Sequence, residues 1–252
     1  MPHVDRSPHA QVPTPIGAVG VSQPAKVTMV SVMRGPYAAA VPVTLTFDNG
    51  PAPGTTDRVL DVLAERELTA TFFVVGSMLR RPGARELADR AVAEGHWVGN
   101  HSMTHATPLG HEPDPAYARD EIDGTQALLD GLAHERRFFR PFGLGGAIGP
   151  HLLSPASVAV LREGAYTCVL WNSVPRDWED TAGWVDTARA EVEHLDHAVV
   201  VLHDLPTGAM DALPAFLDAL DRDGVDVVQP FPPSVVPIER GAVGDVDGIV
   251  SA

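Results

Sequence analysis

The feature that most restricts the fold of this 252-residue chain is a regular alternation of short apolar runs with helical patterns. The apolar runs have the length and the β-branched content of strands. They span residues 41–47, 69–75, 96–100, 137–140, 166–172, 197–203 and 225–229. The helical patterns lie between them, at residues 56–66, 82–94, 115–133, 155–163, 181–194 and 211–222. Strands that alternate with helices predict a parallel sheet, either doubly wound or closed into a barrel.

Local signals agree with this α/β pattern. The run Ala198 to Leu202 is apolar without alternation, as expected of a parallel strand that is covered on both faces. Gly95, Gly164 and Gly224 each closely follow a helical pattern, where a left-handed residue commonly ends the helix.

The two ends of the chain differ in composition from its body. Residues 1–25 are rich in Pro, Ser, Gly and Ala without periodicity, which predicts a loosely ordered arm. Residues 26–33 have the pattern of a peripheral strand, and the chain becomes rich in Pro, Gly and Asp after Pro230. We therefore expect the arm, a barrel domain over 26–236 and a C-terminal tail over 237–252 that trails across the surface.

Composition excludes several classes of partner. Eighteen Lys and Arg against 33 Asp and Glu give a net charge of −15, which repels nucleic acid and anionic lipid. No apolar run reaches the length of about 18 residues that a membrane span requires. The first residues lack the apolar core of a secretory signal, so we expect a cytoplasmic protein, or a secreted one if a leader has been trimmed. The single Cys168 is expected to be a buried apolar side chain, and the oligomeric state is left open.

Five polar clusters each follow directly on a strand-like run. They are Asp48-Asn49, His101 to His105, Arg140 to Gly143, Asp177-Trp178 and Val201 to Asp204. The carboxyl ends of parallel barrel strands meet on one face, which is where barrel enzymes have their active sites. We therefore expect one shared pocket, and we favour a closed or nearly closed barrel over an open sheet.

Two of these clusters have the side chains of a metal site. His101 and His105 are four residues apart, so one helical turn would bring both imidazoles to one face, as in half of a zinc site. Asp48 and Asn49 can supply an oxygen ligand and a base beside a metal-bound water. Each cluster also has a structural explanation without a metal. His101 to His105 fit a polar loop, and Asp48-Asn49 fit an Asp-Asn-Gly-Pro turn.

The other polar side chains fit acid–base chemistry. Arg140 ends an aromatic strand, and a buried guanidinium there needs a carboxylate such as Asp48 or Asp177. His203 follows an apolar run and titrates near neutrality, which makes it the clearest candidate for a general acid. A solvent-facing arginine and a structural histidine remain the alternatives.

Four further residues are candidates for contact with a substrate. Phe142 and Gly143 lie in a tight turn whose backbone N–H groups can face a developing oxyanion. Trp178 and Leu202 can wall a small apolar pocket, and both residue types are also common in cores.

In their order along the chain the clusters resemble the motifs of the polysaccharide deacetylases, the NodB-homology group also called carbohydrate esterase family 4. The first motif, Thr-Phe-Asp-Asp-Gly-Pro, is matched by Thr46 to Pro51 with Asn49 in place of the second Asp. The second, His-Ser/Thr-x-x-His, is matched completely by His101 to His105. The fifth, Leu-x-His, is Val201-Leu202-His203.

The third and fourth motifs depart from the family pattern. Arg140 to Gly143 is one residue shorter than Arg-Pro-Pro-aromatic-Gly. Asp177-Trp178 keeps the end of Asp-x-x-Asp-Trp, but Val174 replaces the first Asp. The shortened third motif affects the expected oxyanion donor. Val174 affects the expected placement of Asp177.

The resemblance implies a distorted (β/α)7 TIM-like barrel and a hydrolase that removes acetyl groups from an N-acetylated or O-acetylated sugar through attack of a metal-bound water. It implies the following roles: Asp48 as base, His203 as acid oriented by Asp177, Arg140 paired with Asp48, the Phe142 backbone at the oxyanion, and His101, His105 and Asn49 as metal ligands. The implied metal is a divalent ion, usually Zn²⁺ with Co²⁺ as another possibility, and Asn49 is expected to hold it weakly because one negative charge is lost.

Two other functions remain open on the sequence alone. One is a metal-poor amidase that acts on a small or cyclic amide, and the other is a non-catalytic carbohydrate-binding relative. Metal content separates the first from the deacetylase. The joint presence of Asp48, Arg140 and His203 argues against the second, because a buried ion pair without function is costly to keep.

Overall fold

The computed structural model describes residues 41–252, so the expected arm at 1–25 and the peripheral strand at 26–33 lie outside the described residues. The strands are β1 (Pro42–Asp48), β2 (Thr71–Val74), β3 (Trp97–Asn100), β4 (Phe138–Phe139), β5 (Thr167–Cys168), β6 (Ala198–His203), β7 (Asp226–Val228), β8 (Ile238–Glu239) and β9 (Ala242–Val243). The helices are α1 (Thr56–Ala64), α2 (Gly76–Leu79), α3 (Ala84–Ala93), α4 (Pro115–Leu128), α5 (Pro155–Glu163), α6 (Trp184–Val192) and α7 (Leu213–Arg222). Within these residues no helix is both long enough and apolar enough to cross a membrane.

The strands form a curled parallel sheet in the order β6-β1-β2-β3-β4-β5. A parallel bridge between Ser173 and Val200 joins the segment after β5 to β6 and closes the ring. β7 pairs only with the first half of β1. The ring is distorted because β4 and β5 are each two residues long. The fold is therefore the predicted distorted (β/α)7 barrel.

Strand β6 shows how the sheet is covered on both faces. Val200 and Leu202 pack in the apolar cluster that contains Trp184 of α6 and Phe216 of α7. Val201, one residue away, belongs to the other cluster. Because successive side chains of a strand point to opposite faces, a strand that is buried on both sides must be apolar throughout, as the sequence predicts here.

The C-terminal segment packs against the barrel, so the expectation of a trailing tail over 237–252 is wrong. β8 pairs antiparallel with β5 through Cys168 and Ile238, and Val250 bridges to Leu153. Ile238 and Ile249 are buried. These apolar side chains explain the docking, because they cover the side of the short strand β5 that β4 does not.

One predicted helix end also differs from expectation. Gly95 and Gly224 are left-handed, with φ of 88° and 67°. Gly164 has a φ of −83°, and Ala165 takes the left-handed conformation at 52°. A Cβ at Gly164 would lie 2.3 Å from the ring of Tyr166, so close packing, and not backbone conformation, requires glycine there.

Candidate active site

The carboxyl ends of the strands enclose a cavity of about 290 Å³. Its lining residues are Asp48, Asn49, His101, His105, Pro141, Phe142, Gly143, Gly145, Gly146, Trp171, Val174, Trp178, Val201, His203 and Leu205. All five polar clusters contribute to this lining or lie directly behind it, as expected for a parallel barrel. Arg140 and Asp177 stand behind the wall, where each contacts a polar residue that faces the cavity.

Arg140 anchors the carboxylate of Asp48 from within the barrel. Its guanidinium is fully buried, and Nη1 donates to Asp48 Oδ1 at 2.9 Å and to Thr46 Oγ1 at 2.7 Å. Nη2 donates to the carbonyl of Leu170 at 3.1 Å, and the group lies 4.1 Å from the ring centroid of Phe73. These contacts fix Asp48 Oδ1 and leave Oδ2 on the side of His101, 3.5 Å from Nε2.

The two histidines of the second cluster lie side by side, with ring centroids 4.7 Å apart. His101 Nδ1 lies 2.9 Å from the carbonyl of Arg140, which can only accept, so Nδ1 carries the proton and Nε2 has a free lone pair. Burial lowers the pKa of His101 to about 3. Burial, with the neighbouring His101, lowers the pKa of His105 to about 3 as well. Both imidazoles are therefore neutral near pH 7, the form that binds metal ions.

The histidines meet by a different route from the helical turn that the sequence analysis expected. Residues 101–105 form a loop in which Ser102 and His105 are left-handed, with φ of 65° and 53°. The first turn of α2 holds this loop, since the N–H of Gly76 donates to Ser102 O and that of Ser77 to Met103 O. The rings of His101 and His105, four residues apart, are therefore brought together by the loop conformation and not by a helical turn.

Asn49 supplies the feature that best fits a metal ligand. It is left-handed, with a φ of 75°, a conformation in which Asn is enriched. Its Oδ1 is buried and has no hydrogen-bond partner in the described part of the chain. Residues 41–252 contain no group of three His, Cys, Asp or Glu that could hold a metal ion, and the Asn49 amide lines the cavity together with His101 and His105. An unpaired buried acceptor that lines the same cavity as two neutral imidazoles fits a divalent cation.

His203 ends β6 as the register partner of Asp48 on β1, and Asp177 holds its imidazole. Its Nδ1 lies 2.8 Å from Asp177 Oδ1, and its backbone N–H donates to Oδ2 at 3.0 Å. Burial opposes a charge on this imidazole, but the hydrogen bond and charge of Asp177, with Asp48 and Asp204 further away, outweigh it and raise the pKa of His203. The ring of Trp178 meets the imidazole edge-on at 4.8 Å.

An apolar wall completes the cavity between these polar groups. The ring of Phe142 lies 3.9 Å from that of His105. The turn after Phe142 rests on Trp171, whose Nε1 donates to the carbonyl of Gly146 at 2.8 Å. A Cβ at Gly143 would lie 2.4 Å from the same indole, so the shortened third motif depends on glycine to approach it.

The assignment of Leu202 to this wall was wrong, and Val201 takes the place. Leu202 is fully buried against the helices, whereas Val201 lines the cavity. The period of two in a strand carries this information, because Val201 shares the face of His203 and Leu202 does not. The same rule places Thr46, which the sequence analysis did not single out, on the face of Asp48.

Comparisons with known proteins show which family this chain resembles. The sequence profile of the polysaccharide deacetylases matches residues 38–145. A chitooligosaccharide deacetylase of Rhizobium leguminosarum bv. trifolii is 35% identical over 169 residues, which cover 64% of this chain and 71% of the relative. Another from a Bradyrhizobium strain is 33% identical over 209 residues, 75% of this chain and 89% of the relative. A family 4 acetyl xylan esterase from Clostridium thermocellum, solved with a cobalt ion, superposes with a TM-score of 0.60 at 28% identity over 75% of this chain and 87% of that one.

Proposed function

The chain belongs to the polysaccharide deacetylase family, and on that premise we propose that it hydrolyses the acetamide of an N-acetylated saccharide to acetate and an amine. The observation that carries this proposal is the pair of buried ion contacts beside one cavity, where Asp48 and His203 are register partners on the adjacent strands β1 and β6. Asp48 is held by Arg140, and His203 is held by Asp177. An acceptor and a donor of protons therefore face the same small space.

Asp48 is the proposed general base. Its Oδ1 is engaged by Arg140, so Oδ2 is the oxygen that accepts the proton of the attacking water. The fixed guanidinium holds this carboxylate in one orientation, which is how a positioned base gains its advantage over one in solution.

His203 is the proposed general acid. Asp177 accepts the Nδ1 proton, so the Nε2 proton of the imidazolium is the one available to the leaving nitrogen. The raised pKa keeps a larger share of His203 protonated near neutral pH. When the carbon–nitrogen bond breaks, this proton converts the leaving group to a neutral amine, and the water supplies the hydroxyl of the acetic acid.

His101, His105 and Asn49 are the residues proposed to hold a divalent metal. Two neutral imidazoles and one amide oxygen suit zinc, and cobalt can occupy similar ligand sets. Such an ion, when bound, polarises the acyl oxygen and lowers the pKa of water. The chain's own contribution is to keep both histidines neutral and to offer the unpaired Asn49 Oδ1.

The apolar wall is proposed to hold the acetyl methyl group. Trp178 and Val201 line the cavity beside His203, and Leu205 lines the same cavity. The backbone of Phe142 and Gly143, which also line the cavity, is proposed to stabilise the oxyanion, as the family resemblance implies.

Acetate release from N-acetylated chitooligosaccharides tests the proposed roles. Asp48→Asn and His203→Ala should each lower kcat by about 10²-fold or more, since general acid–base groups contribute about that much. Asp180→Asn is the matched control, because Asp180 is exposed and caps a nearby turn without touching the cavity. A His203→Ala protein that retains full turnover would leave His203 a structural residue and remove it from the mechanism.

A further inference from the structure

Glu121 of α4 is a buried carboxylate that none of the proposed chemical steps uses. The residue is 3% exposed, and its side chain points at the loop of residues 101–105. Oε2 accepts from the backbone N–H groups of Met103 and Thr104, both at 3.0 Å. Oε1 accepts from the hydroxyl of Thr104 at 2.7 Å. One side chain therefore binds the middle of the histidine loop at three points.

The negative charge of Glu121 has no cationic partner within salt-bridge distance in the described part of the chain. Burial of an unpaired carboxylate is costly, and here only hydrogen bonds from the loop offset that cost. An apolar side chain at this position would leave the backbone N–H groups of Met103 and Thr104 without their acceptor. The carboxylate therefore fixes the conformation of the loop.

The loop needs external support because its backbone is strained. Ser102 and His105 are both left-handed without being glycine, and such conformations persist only where the surroundings enforce them. Met103 is also packed tightly, since a Cβ at Gly76 would lie 2.7 Å from its sulfur and one at Gly124 would lie 3.2 Å from its terminal methyl. The loop is thus clamped between α2 and α4, with Glu121 at the centre of the α4 side.

We propose that Glu121 is a positioning residue that holds His101 and His105 in the arrangement needed to bind a divalent metal. The proposal rests on the metal site of the proposed function. Glu121 contacts neither the histidines nor the cavity, so it acts through Met103 and Thr104. Without its three hydrogen bonds the loop relaxes toward an ordinary conformation, and the His105 ring leaves its place beside His101.

Zinc affinity of the metal-free protein, measured by competition with a chromophoric chelator, tests this role. Glu121→Leu should bind zinc at least about tenfold more weakly, the usual loss when the support of a ligand is removed. Glu121→Gln should stay close to the wild-type affinity, because its amide oxygen can accept both backbone N–H groups and its NH₂ can donate to Thr104. Asp123→Leu is the matched control, since Asp123 lies on the same helix but accepts from Tyr166.

Hydrogen exchange of residues 101–105 in the metal-free protein supplies a second readout. Exchange should be faster in Glu121→Leu than in wild type, and unchanged in Asp123→Leu. If Glu121→Leu does not fold, Thr104→Val removes only the hydroxyl contact and should still weaken zinc binding severalfold. Wild-type affinity and wild-type exchange in Glu121→Leu would overturn the positioning role. If the wild-type protein itself bound no zinc, both the proposed metal site and the positioning role of Glu121 would be wrong. Faster exchange in Glu121→Leu would then show only that Glu121 stabilises the loop.

Discussion

At the scale of single residues, Asn49 is the position where the first motif of this site loses a carboxylate of the family pattern. The residue keeps the left-handed backbone and the oxygen of a ligand, but it brings no negative charge. Its buried Oδ1 has no hydrogen-bond partner in the described part of the chain, which leaves it free to coordinate an ion. The strength of metal binding should therefore respond to the chemistry of this one side chain.

Asn49→Asp should tighten zinc binding by about tenfold, because a carboxylate adds charge to the same ligand position. Asp tolerates the left-handed conformation nearly as well as Asn, so the backbone should not change. The measurement is a zinc titration of the metal-free proteins in the presence of a competing chelator. Equal affinities for the two proteins would remove Asn49 from the coordination shell.

The contact between Asp177 and His203 sets the pH range of the proposed acid. This acid works only while protonated, so activity should fall as pH rises through the pKa of His203. Asp177→Asn removes the charge and hydrogen bond that raise this pKa, so the alkaline limb of kcat/KM should move to lower pH. The measurement is a pH profile of acetate release for wild type, Asp177→Asn and the control Asp180→Asn. A limb that stays in place would mean that another group supplies the proton.

At the scale of elements, strands β1 to β7 could be predicted from sequence, and β8 and β9 could not. β6 is a continuous apolar run up to His203, and β1 alternates Thr with apolar side chains, and both patterns are typical of strands. β8 and β9 have two residues each in a segment rich in Pro and Gly, so their pairing is visible only once β5 offers an edge. A local sequence pattern predicts a strand whose own side chains are buried. It does not predict a strand that forms only because another strand offers an edge.

The candidate site follows the same division. The polar residues of the motifs could be located because most of them follow closely on a strand, and parallel strands bring their ends together. Glu121 could not, because nothing in its own helix indicates that it faces a loop some 18 residues earlier. The loop of the two histidines was likewise misread as a helical turn, since spacing alone does not show the left-handed residues.

The glycine-rich turn after the third motif offers a matched pair of substitutions. Gly145 and Gly146 are both left-handed, with φ of 58° and 81°. A Cβ at Gly146 would lie 2.6 Å from Val174, whereas one at Gly145 would meet nothing within 4 Å. Alanine at either position adds similar backbone strain, so only Gly146→Ala should also displace the turn.

Gly146→Ala should lower kcat/KM at least about tenfold more than Gly145→Ala, because a displacement of the order of 1 Å is costly to a reacting geometry. Adding Val174→Ala should recover much of the loss by making room for the new methyl group. Steady-state acetate release from the three variants and wild type is the measurement. Equal losses for the two single variants would show that this turn has no part in placing the substrate.

At the scale of the whole molecule, charge and the size of the cavity both bear on the substrate. The chain has a net charge of −15, and no Lys or Arg is among the residues that line the cavity in the described structure. The cavity, at about 290 Å³, is at the small end of the usual range for ligand pockets, which is about 300–1,000 Å³. Its aromatic lining is limited to Phe142, Trp171 and Trp178, whereas a long glycan groove needs a platform for each successive ring.

We therefore expect short N-acetylated saccharides to be better substrates than an insoluble or polyanionic polymer, because the surface repels negative charge and the cavity engages few sugar rings. Acetate release should be measured side by side on a ladder of chitooligosaccharides and on peptidoglycan at matched acetyl content. The rate should level off after the first few sugars of the ladder and remain low on peptidoglycan, including at high salt, where charge repulsion is screened and only the fit to the cavity still limits the reaction. Activity that climbs steadily with chain length, or that is found only on the intact polymer, would mean that binding extends well beyond this cavity along a surface that the three aromatic side chains do not mark.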